Sequence, residues 1–263
     1  MKELLTELIR NDIHVKLVDN EISLKVPPKG IAPDLLAEIK SRKGDLIEYL
    51  KGLQVDAFES IPVSTKRERF RLSSSQKRLW ILSQFKEINV SYNLPLMYVL
   101  EEEIDPEILE KAFFRLIDRH ETLRTVFHQT PSGEVVQEIL KTEDTGFSVE
   151  YSDLSNQNDN AAIIDKMVDE GMYKPFDLEN GPLLRVQLIK SAPSKYVLSY
   201  VMHHIICDAQ SKDIMMQELF QFYGAIVTNQ VYEPEPLEFQ YKDFAEWQQD
   251  GLLKESMKER KQY

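Results

Sequence analysis

A single cysteine, Cys207, stands among 263 residues. One thiol excludes an intramolecular disulfide and any cysteine-built zinc site within one chain, and it suits a reducing cytoplasm. Long apolar runs are missing too. None approaches the roughly 20 residues that span a bilayer. Charged and apolar residues alternate from Met1 to Asp12, so the apolar centre of a secretion signal is absent. Basic charge is scarce: 32 Lys and Arg face 44 Asp and Glu, a net charge of -12. That balance argues against nonspecific nucleic-acid binding, whose affinity comes from basic side chains at phosphates. The expectation is a cytoplasmic protein with neither membrane nor nucleic acid as partner. What is present is 42% hydrophobic and 29% charged residues, enough for an ordered core in one or two domains.

Residues 1–52 read as a small unit. Leu4, Leu5, Leu8 and Ile9 recur at helical spacing. The period then drops to two: Ile13, Val15 and Leu17 alternate with His14 and Lys16, and Ile22, Leu24 and Val26 with Ser23 and Lys25. Asp19-Asn20 between the two runs predicts a β-hairpin. Pro27-Pro28 and Gly30 end it. Two short helices follow, with Leu35, Leu36 and Ile39, then Leu46, Ile47 and Leu50. About fifty residues make a small core, and a two-stranded hairpin leaves an open edge that a partner strand can use. Residues 53–70 are charged and aperiodic, and read as a linker.

From about Phe70 the pattern is α/β. Strands are expected at Leu94 to Leu100, Leu123 to Phe127, Val135 to Leu140, Leu183 to Ile189 and Val197 to Met202. Helices are expected at Pro106 to Asp118, with Asp105 as N-cap, and at Ala161 to Tyr173, Asp213 to Ile226 and Asp243 to Tyr263. After Gly251 no Gly or Pro stops the last helix, which reads as a truncated pattern.

The sharpest chemical feature is His203-His204-Ile205-Ile206-Cys207-Asp208-Ala209, directly after a strand and before a helix. An imidazole at a strand end can project into a cleft and handle a proton near neutral pH. Neighbouring strand residues point to opposite faces, so both histidines rarely bind one ion, and no HExxH spacing supports a metal. On the residues alone, a buried hydrogen-bonded pair is as good a reading as a catalytic one.

The segment resembles the HHxxxDG motif of the condensation domains of nonribosomal peptide synthetases, whose superfamily is similar in fold to chloramphenicol acetyltransferase. Other segments resemble that family's motifs in order: Ser73-Ser74-Ser75-Gln76-Lys77-Arg78-Leu79-Trp80, Tyr92-Asn93-Leu94-Pro95, Arg119-His120-Glu121-Thr122-Leu123-Arg124-Thr125-Val126-Phe127, Pro175-Phe176-Asp177-Leu178 with Gly181-Pro182-Leu183-Leu184-Arg185, and Tyr241-Lys242-Asp243-Phe244-Ala245-Glu246-Trp247-Gln248. The resemblance covers residues 60–263 and implies a first lobe with a mixed sheet flanked by helices, the second lobe being absent. By element order and size, residues 1–52 resemble the TubC-type N-terminal docking domains of the same assembly lines. The implied domains are docking at 1–52, a linker at 53–70 and the lobe at 71–263.

The resemblance implies amide formation between a donor acyl or peptidyl thioester and an acceptor aminoacyl thioester. Both ride on the phosphopantetheine of carrier proteins, and no cofactor is bound directly. His204 is the implied catalytic residue, as general base or as the group that orients the amine and stabilises the tetrahedral intermediate. His203 is implied to be structural. Asp208 is implied to hold the loop through an arginine, Arg124 first and Arg119 in reserve. Ala209 replaces the family's glycine, a departure that would strain the loop or narrow the substrate channel if positive φ were required there. Cys207 reads as a plain buried thiol, and Trp80 and Trp247 as packing residues. Lys16 and Lys25 on the hairpin are expected to meet an acidic C-terminal tail of an upstream synthetase subunit, unless they are simply solvated. The fragment is expected to be inactive without the second lobe. Other functions to weigh are a non-catalytic docking and assembly module, and a related acyltransferase for a free amine or alcohol.

Overall fold

The computed structural model describes residues 4, 8, 11, 13–18, 21–27, 30–55, 61–65, 68–85 and 89–260, with the side chains of 14, 16–18, 25, 50–55 and 254–260 excepted. The chain forms two compact units, Met1–Ser60 and Ile61–Tyr263. The second unit therefore begins inside the segment read as a linker.

In the first unit, β1 (His14–Val18) and β2 (Glu21–Lys25) pair antiparallel. The register sets Val18 against Glu21 and leaves two residues between the strands. Asp19 and Asn20, as well as Leu5 and Ile9 of the expected first helix, lie outside the described residues. Gly30 takes φ +80 and donates its N–H to the Pro27 carbonyl at 2.9 Å, a turn that a Cβ would strain. Helices α1 (Pro33–Ser41) and α2 (Lys43–Val55) follow. Leu4, Leu8, Ile13, Leu35 and Ile39 make one buried cluster, so the alternation along β1 and the helical spacing along α1 meet in one small core.

The second unit holds two sheets. One contains β3 (Arg69–Arg71), β5 (Thr125–Gln129) and β6 (Val135–Ile139) in the order β3-β6-β5, all antiparallel. The other contains β4 (Asn93–Leu100), β7 (Val149–Asp153), β8 (Leu184–Ala192) and β9 (Lys195–His203) in the order β4-β9-β8-β7. It is mixed, because β7 runs parallel to β8 while the other pairs are antiparallel. The helices are α3 (Ser74–Ser83), α4 (Pro106–Arg119), α5 (Ala161–Tyr173), α6 (Ala209–Val227) and α7 (Tyr241–Arg260). Strand β9 is buried from Tyr196 to His203 because both of its faces are covered, as in the interior strand of a layered α/β unit. Helix α5 packs on β4, β8 and β9. On the other face, Leu198, Tyr200 and Met202 join the core of α4 and α6, with Phe113, Leu116, Met215 and Leu219.

The expected strand from Leu123 is a 3-10 turn over Glu121–Arg124, and β5 starts two residues later. The Thr125 hydroxyl donates to the Glu121 carbonyl at 2.8 Å and holds that turn closed. Pattern reading also passed over α3, although Ser73 and Gln76 form a capping box at its start. The S-x-x-Q spacing carries that signal in the sequence. Strands β3 and β7 are too short and too exposed for periodicity to find.

Candidate active site

The two histidines occupy opposite environments at the end of β9. The His203 N–H donates to the Leu183 carbonyl at 3.1 Å, the sheet's last contribution. One residue on, the His204 N–H donates to the Tyr92 carbonyl at 2.8 Å. The Ile206 N–H returns to the His203 carbonyl at 3.1 Å, closing a turn, and the Thr122 hydroxyl donates to the Ile206 carbonyl at 3.0 Å. The backbone of the motif is thus tied to three other segments.

His203 is fully buried, with the rings of Tyr92 and Phe176 near its own at centroid distances of 6.4 and 6.2 Å. Its Nδ1 accepts the Ile205 N–H at 3.2 Å, so the ring proton belongs on Nε2. Burial, reinforced by His204, lowers its pKa to about 4. It is a neutral support for the turn.

The His204 ring is exposed. Its Nδ1 lies 2.7 Å from the Cys207 carbonyl oxygen. A carbonyl only accepts, so Nδ1 carries a proton, and in the neutral tautomer this selects, the lone pair is on Nε2. The ring borders a cleft of about 570 Å³. Ser75, Arg78, Tyr92, Thr122 and Tyr241 also line it, four motif segments widely separated in sequence. Their membership in motifs was the available signal, and reading motif by motif missed their convergence.

Among the described residues Asp208 pairs with no arginine. It is the N-cap of α6, and its carboxylate accepts from the Ser211 N–H at 2.8 Å and the Ser211 hydroxyl at 2.6 Å. Those bonds, side chain first, hold the carboxyl below its ordinary range. Arg124 instead donates Nη1 to the Leu140 carbonyl at 2.5 Å and lies 3.7 Å from Glu121. Arg119 is engaged by Glu218 at 3.1 Å and the Glu235 carbonyl at 2.8 Å, and His120 by Glu218 at 2.5 Å. The arginine-rich motif therefore pins α6 and the chain before α7, and leaves Asp208 to its helix.

Ala209 opens α6 and is not among the residues with positive φ. It is exposed and does not line the cleft. The strain expected from the missing glycine therefore does not arise. The Cys207 thiol is buried, and desolvation first, then Asp208, pushes its pKa up to about 12. It is no nucleophile at neutral pH.

Helix α7 supplies Tyr241, whose hydroxyl is 3.0 Å from Ser73 Oγ. Buried acids fix its start. Asp243 accepts the Ser64 N–H at 2.8 Å and the Gln240 N–H at 2.7 Å, and Glu246 accepts the Arg71 N–H and Nε, each at 2.7 Å. Among the described residues no group of three or more His, Cys, Asp or Glu could hold a metal, and no helix is long and apolar enough to cross a membrane. The side chains of Lys16 and Lys25 lie outside the described residues.

A family model described as the Condensation domain matches residues 66–263. The chain belongs to the condensation-domain family. A second family model, the TubC N-terminal docking domain, matches residues 1–52. Gramicidin S synthase 2 of Brevibacillus brevis is 36% identical over 249 residues, 95% of this chain and 5% of that protein. Bacitracin synthase 2 of Bacillus licheniformis is 37% identical over 218 residues, 83% of this chain and 8% of that protein. The chain thus spans less than a tenth of these curated relatives. Among solved structures, the starter condensation domain of the rhizomide synthetase RzmA is similar with a TM-score of 0.60 at 26% identity, over 65% of this chain and 41% of that one. The first condensation domain of the calcium-dependent antibiotic synthetase shares the fold, with a TM-score of 0.60 at 19% identity over 64% of this chain and 40% of that one. Along the chain, the condensation-domain match follows the docking-domain match.

Proposed function

We propose that the chain contributes the histidine-bearing half of an active site that joins a donor acyl or peptidyl thioester to the amine of an aminoacyl thioester, both held on phosphopantetheine arms of carrier proteins. The observation behind this reading is the His204 Nε2 lone pair at an open cleft. The amine nitrogen attacks the thioester carbonyl, the C–N bond forms, and the C–S bond breaks. The proton lost by the amine passes through Nε2 to the departing sulfur, so His204 ends neutral, as it began. Tethering both reactants beside the ring supplies much of the rate. One structure of the RzmA starter domain is a complex with C8-CoA and Leu-SNAC, and two such ligands on one similar fold support a two-substrate reading.

In this proposal residues 1–52 dock an upstream synthetase subunit, residues 53–70 link, and residues 71–263 need a second lobe to act. Lys16 and Lys25 attract an acidic tail that adds a strand to the hairpin edge. Titrating residues 1–52 with such tails at low and high salt tests the charge argument, which salt-insensitive binding would remove. The decisive assay follows dipeptidyl product in the complete synthetase. His204→Ala is expected to lower turnover by about 10²–10⁴, and undiminished turnover would defeat the assignment.

A further inference from the structure

We propose that Thr122 is a positioning residue for His204: its hydroxyl clamps the turn whose next carbonyl aims the imidazole. The kinetic consequence rests on the function proposed above; the clamp itself rests on geometry.

The His204 ring is exposed and is held through Nδ1 by the Cys207 carbonyl at 2.7 Å. A ring held at one atom is aimed only as well as that carbonyl is fixed. The carbonyl belongs to the peptide between Cys207 and Asp208, and anchors flank it. On one side the Thr122 hydroxyl donates to the Ile206 carbonyl at 3.0 Å, which fixes the peptide before Cys207. On the other, Asp208 accepts the Ser211 N–H and hydroxyl and fixes the start of α6. Peptides are planar, so little but the φ and ψ of Cys207 separates the plane anchored by Thr122 from the plane that aims the ring.

Thr122 is itself held. It lies in the turn Glu121–Arg124, which Thr125 closes by donating to the Glu121 carbonyl at 2.8 Å. Gln240 accepts the Glu121 N–H at 3.2 Å, and Lys242 pairs with the Glu121 carboxylate. A β-branched side chain is stiff about χ1, so a rigid turn presents a rigid hydroxyl. The neighbouring polar side chains are turned elsewhere: Arg119 and His120 to Glu218, and Arg124 to the Leu140 carbonyl. Among the described residues, Thr122 is the side chain through which this segment grips the histidine turn. Ile206 is only 5% exposed, so its carbonyl finds little water to replace a lost donor.

Thr122 also borders the cleft. Valine keeps its shape and removes only the hydroxyl, which separates aiming from binding. The test follows the His204 imidazole nitrogen NMR signals of the 263-residue chain, assigned with His204→Ala, at about pH 8, above the ordinary titration range of histidine. In the wild type the ring proton should sit on Nδ1. Thr122→Val should shift the ring to a mixture of both tautomers, and Thr122→Ser, which keeps the donor without the stiffness, should lie nearer the wild type. In the complete synthetase Thr122→Val should lower kcat about tenfold and leave KM within about twofold, and serine should recover most of the loss. Wild-type tautomer signals in Thr122→Val, wild-type kcat, or a loss confined to KM each overturns the proposal. Should valine not fold, Thr122→Ala takes its place with the same expectations; if neither folds, Thr122 is a residue of the fold and the proposal falls. Undiminished turnover in His204→Ala would instead remove the function proposed above, and the two failures are told apart because the tautomer comparison needs no turnover.

Discussion

Asp208 accepts both the amide and the hydroxyl hydrogen of Ser211, at 2.8 and 2.6 Å, and so starts the helix that follows the histidines. Its role is capping, and the size of its contribution follows from that. Removing an N-cap costs about 1 kcal/mol, whereas breaking a buried ion pair costs about 3–5 kcal/mol. Asp208→Ala is therefore expected to lower unfolding stability by the smaller amount, and Asp208→Asn by less. A double-mutant cycle with Arg124→Ala should give no coupling above about 0.5 kcal/mol. A larger coupling would mean that the two side chains meet. The depressed carboxyl pKa sets the pH sign: the contribution is complete above the ordinary 3.8 and is lost as pH falls through the lower folded value.

His204 and its neighbours separate stability from chemistry. Its ring is exposed and makes a single hydrogen bond, to Cys207. His204→Ala should cost no more than about 1.5 kcal/mol in urea unfolding while amide formation collapses. A variant that unfolds at wild-type growth temperature would undermine the view of this ring as dispensable for the fold.

Much of this was legible from the sequence, for physical reasons that differ by element. Helical spacing gave α4 because it buries a continuous face, and an apolar run gave β9 because both of its faces are covered. The His203–His204 contrast was expected from strand alternation, but it arises where the strand ends: His203 closes a strand buried on both faces, and His204 lies in the turn beyond it. The Asp208 partner was not legible. An Asp two residues before a Gln-Ser pair is also an N-cap signal, and the family motif drew attention to a distant arginine instead. Nor could spacing show that Arg78 and Tyr241, some 160 positions apart, share a cleft; that depends on how α3 and α7 pack.

Ala209 gives a third prediction. A residue at the first turn of α6, with φ outside the left-handed region, gains nothing from glycine. Ala209→Gly should leave stability unchanged or lower it by up to about 1 kcal/mol, the helix-propensity difference. It should not alter acceptor choice, since the side chain does not line the cleft. A stabilised glycine variant in thermal unfolding would contradict this backbone assignment.

The Cys207 thiol, raised to about 12 against an ordinary 9.0, should carry about a thousandfold less thiolate than a free cysteine near pH 8. Alkylation by iodoacetamide should be correspondingly slow in the native chain and fast after denaturation. Cys207→Ala should keep turnover in the complete synthetase. Rapid native alkylation would show the thiol to be accessible and ionised.

His203 makes the fold sensitive to mild acid. In the native state its pKa is about 4 because burial penalises the imidazolium, while in the unfolded chain it returns to about 6.5. Below 6.5 the unfolded state takes up a proton that the native state refuses. Stability is therefore fully present above 6.5 and declines as pH falls toward 4. Between pH 7.5 and 5 this one group should account for a loss of about 2 kcal/mol. His203→Gln removes the titration: it should lower stability at pH 7.5 through lost packing but flatten the slope between those two pH values by that amount. Urea midpoints of both proteins at the two pH values measure the difference. An equal slope in the two would mean that His203 is protonated as readily inside the fold as outside it.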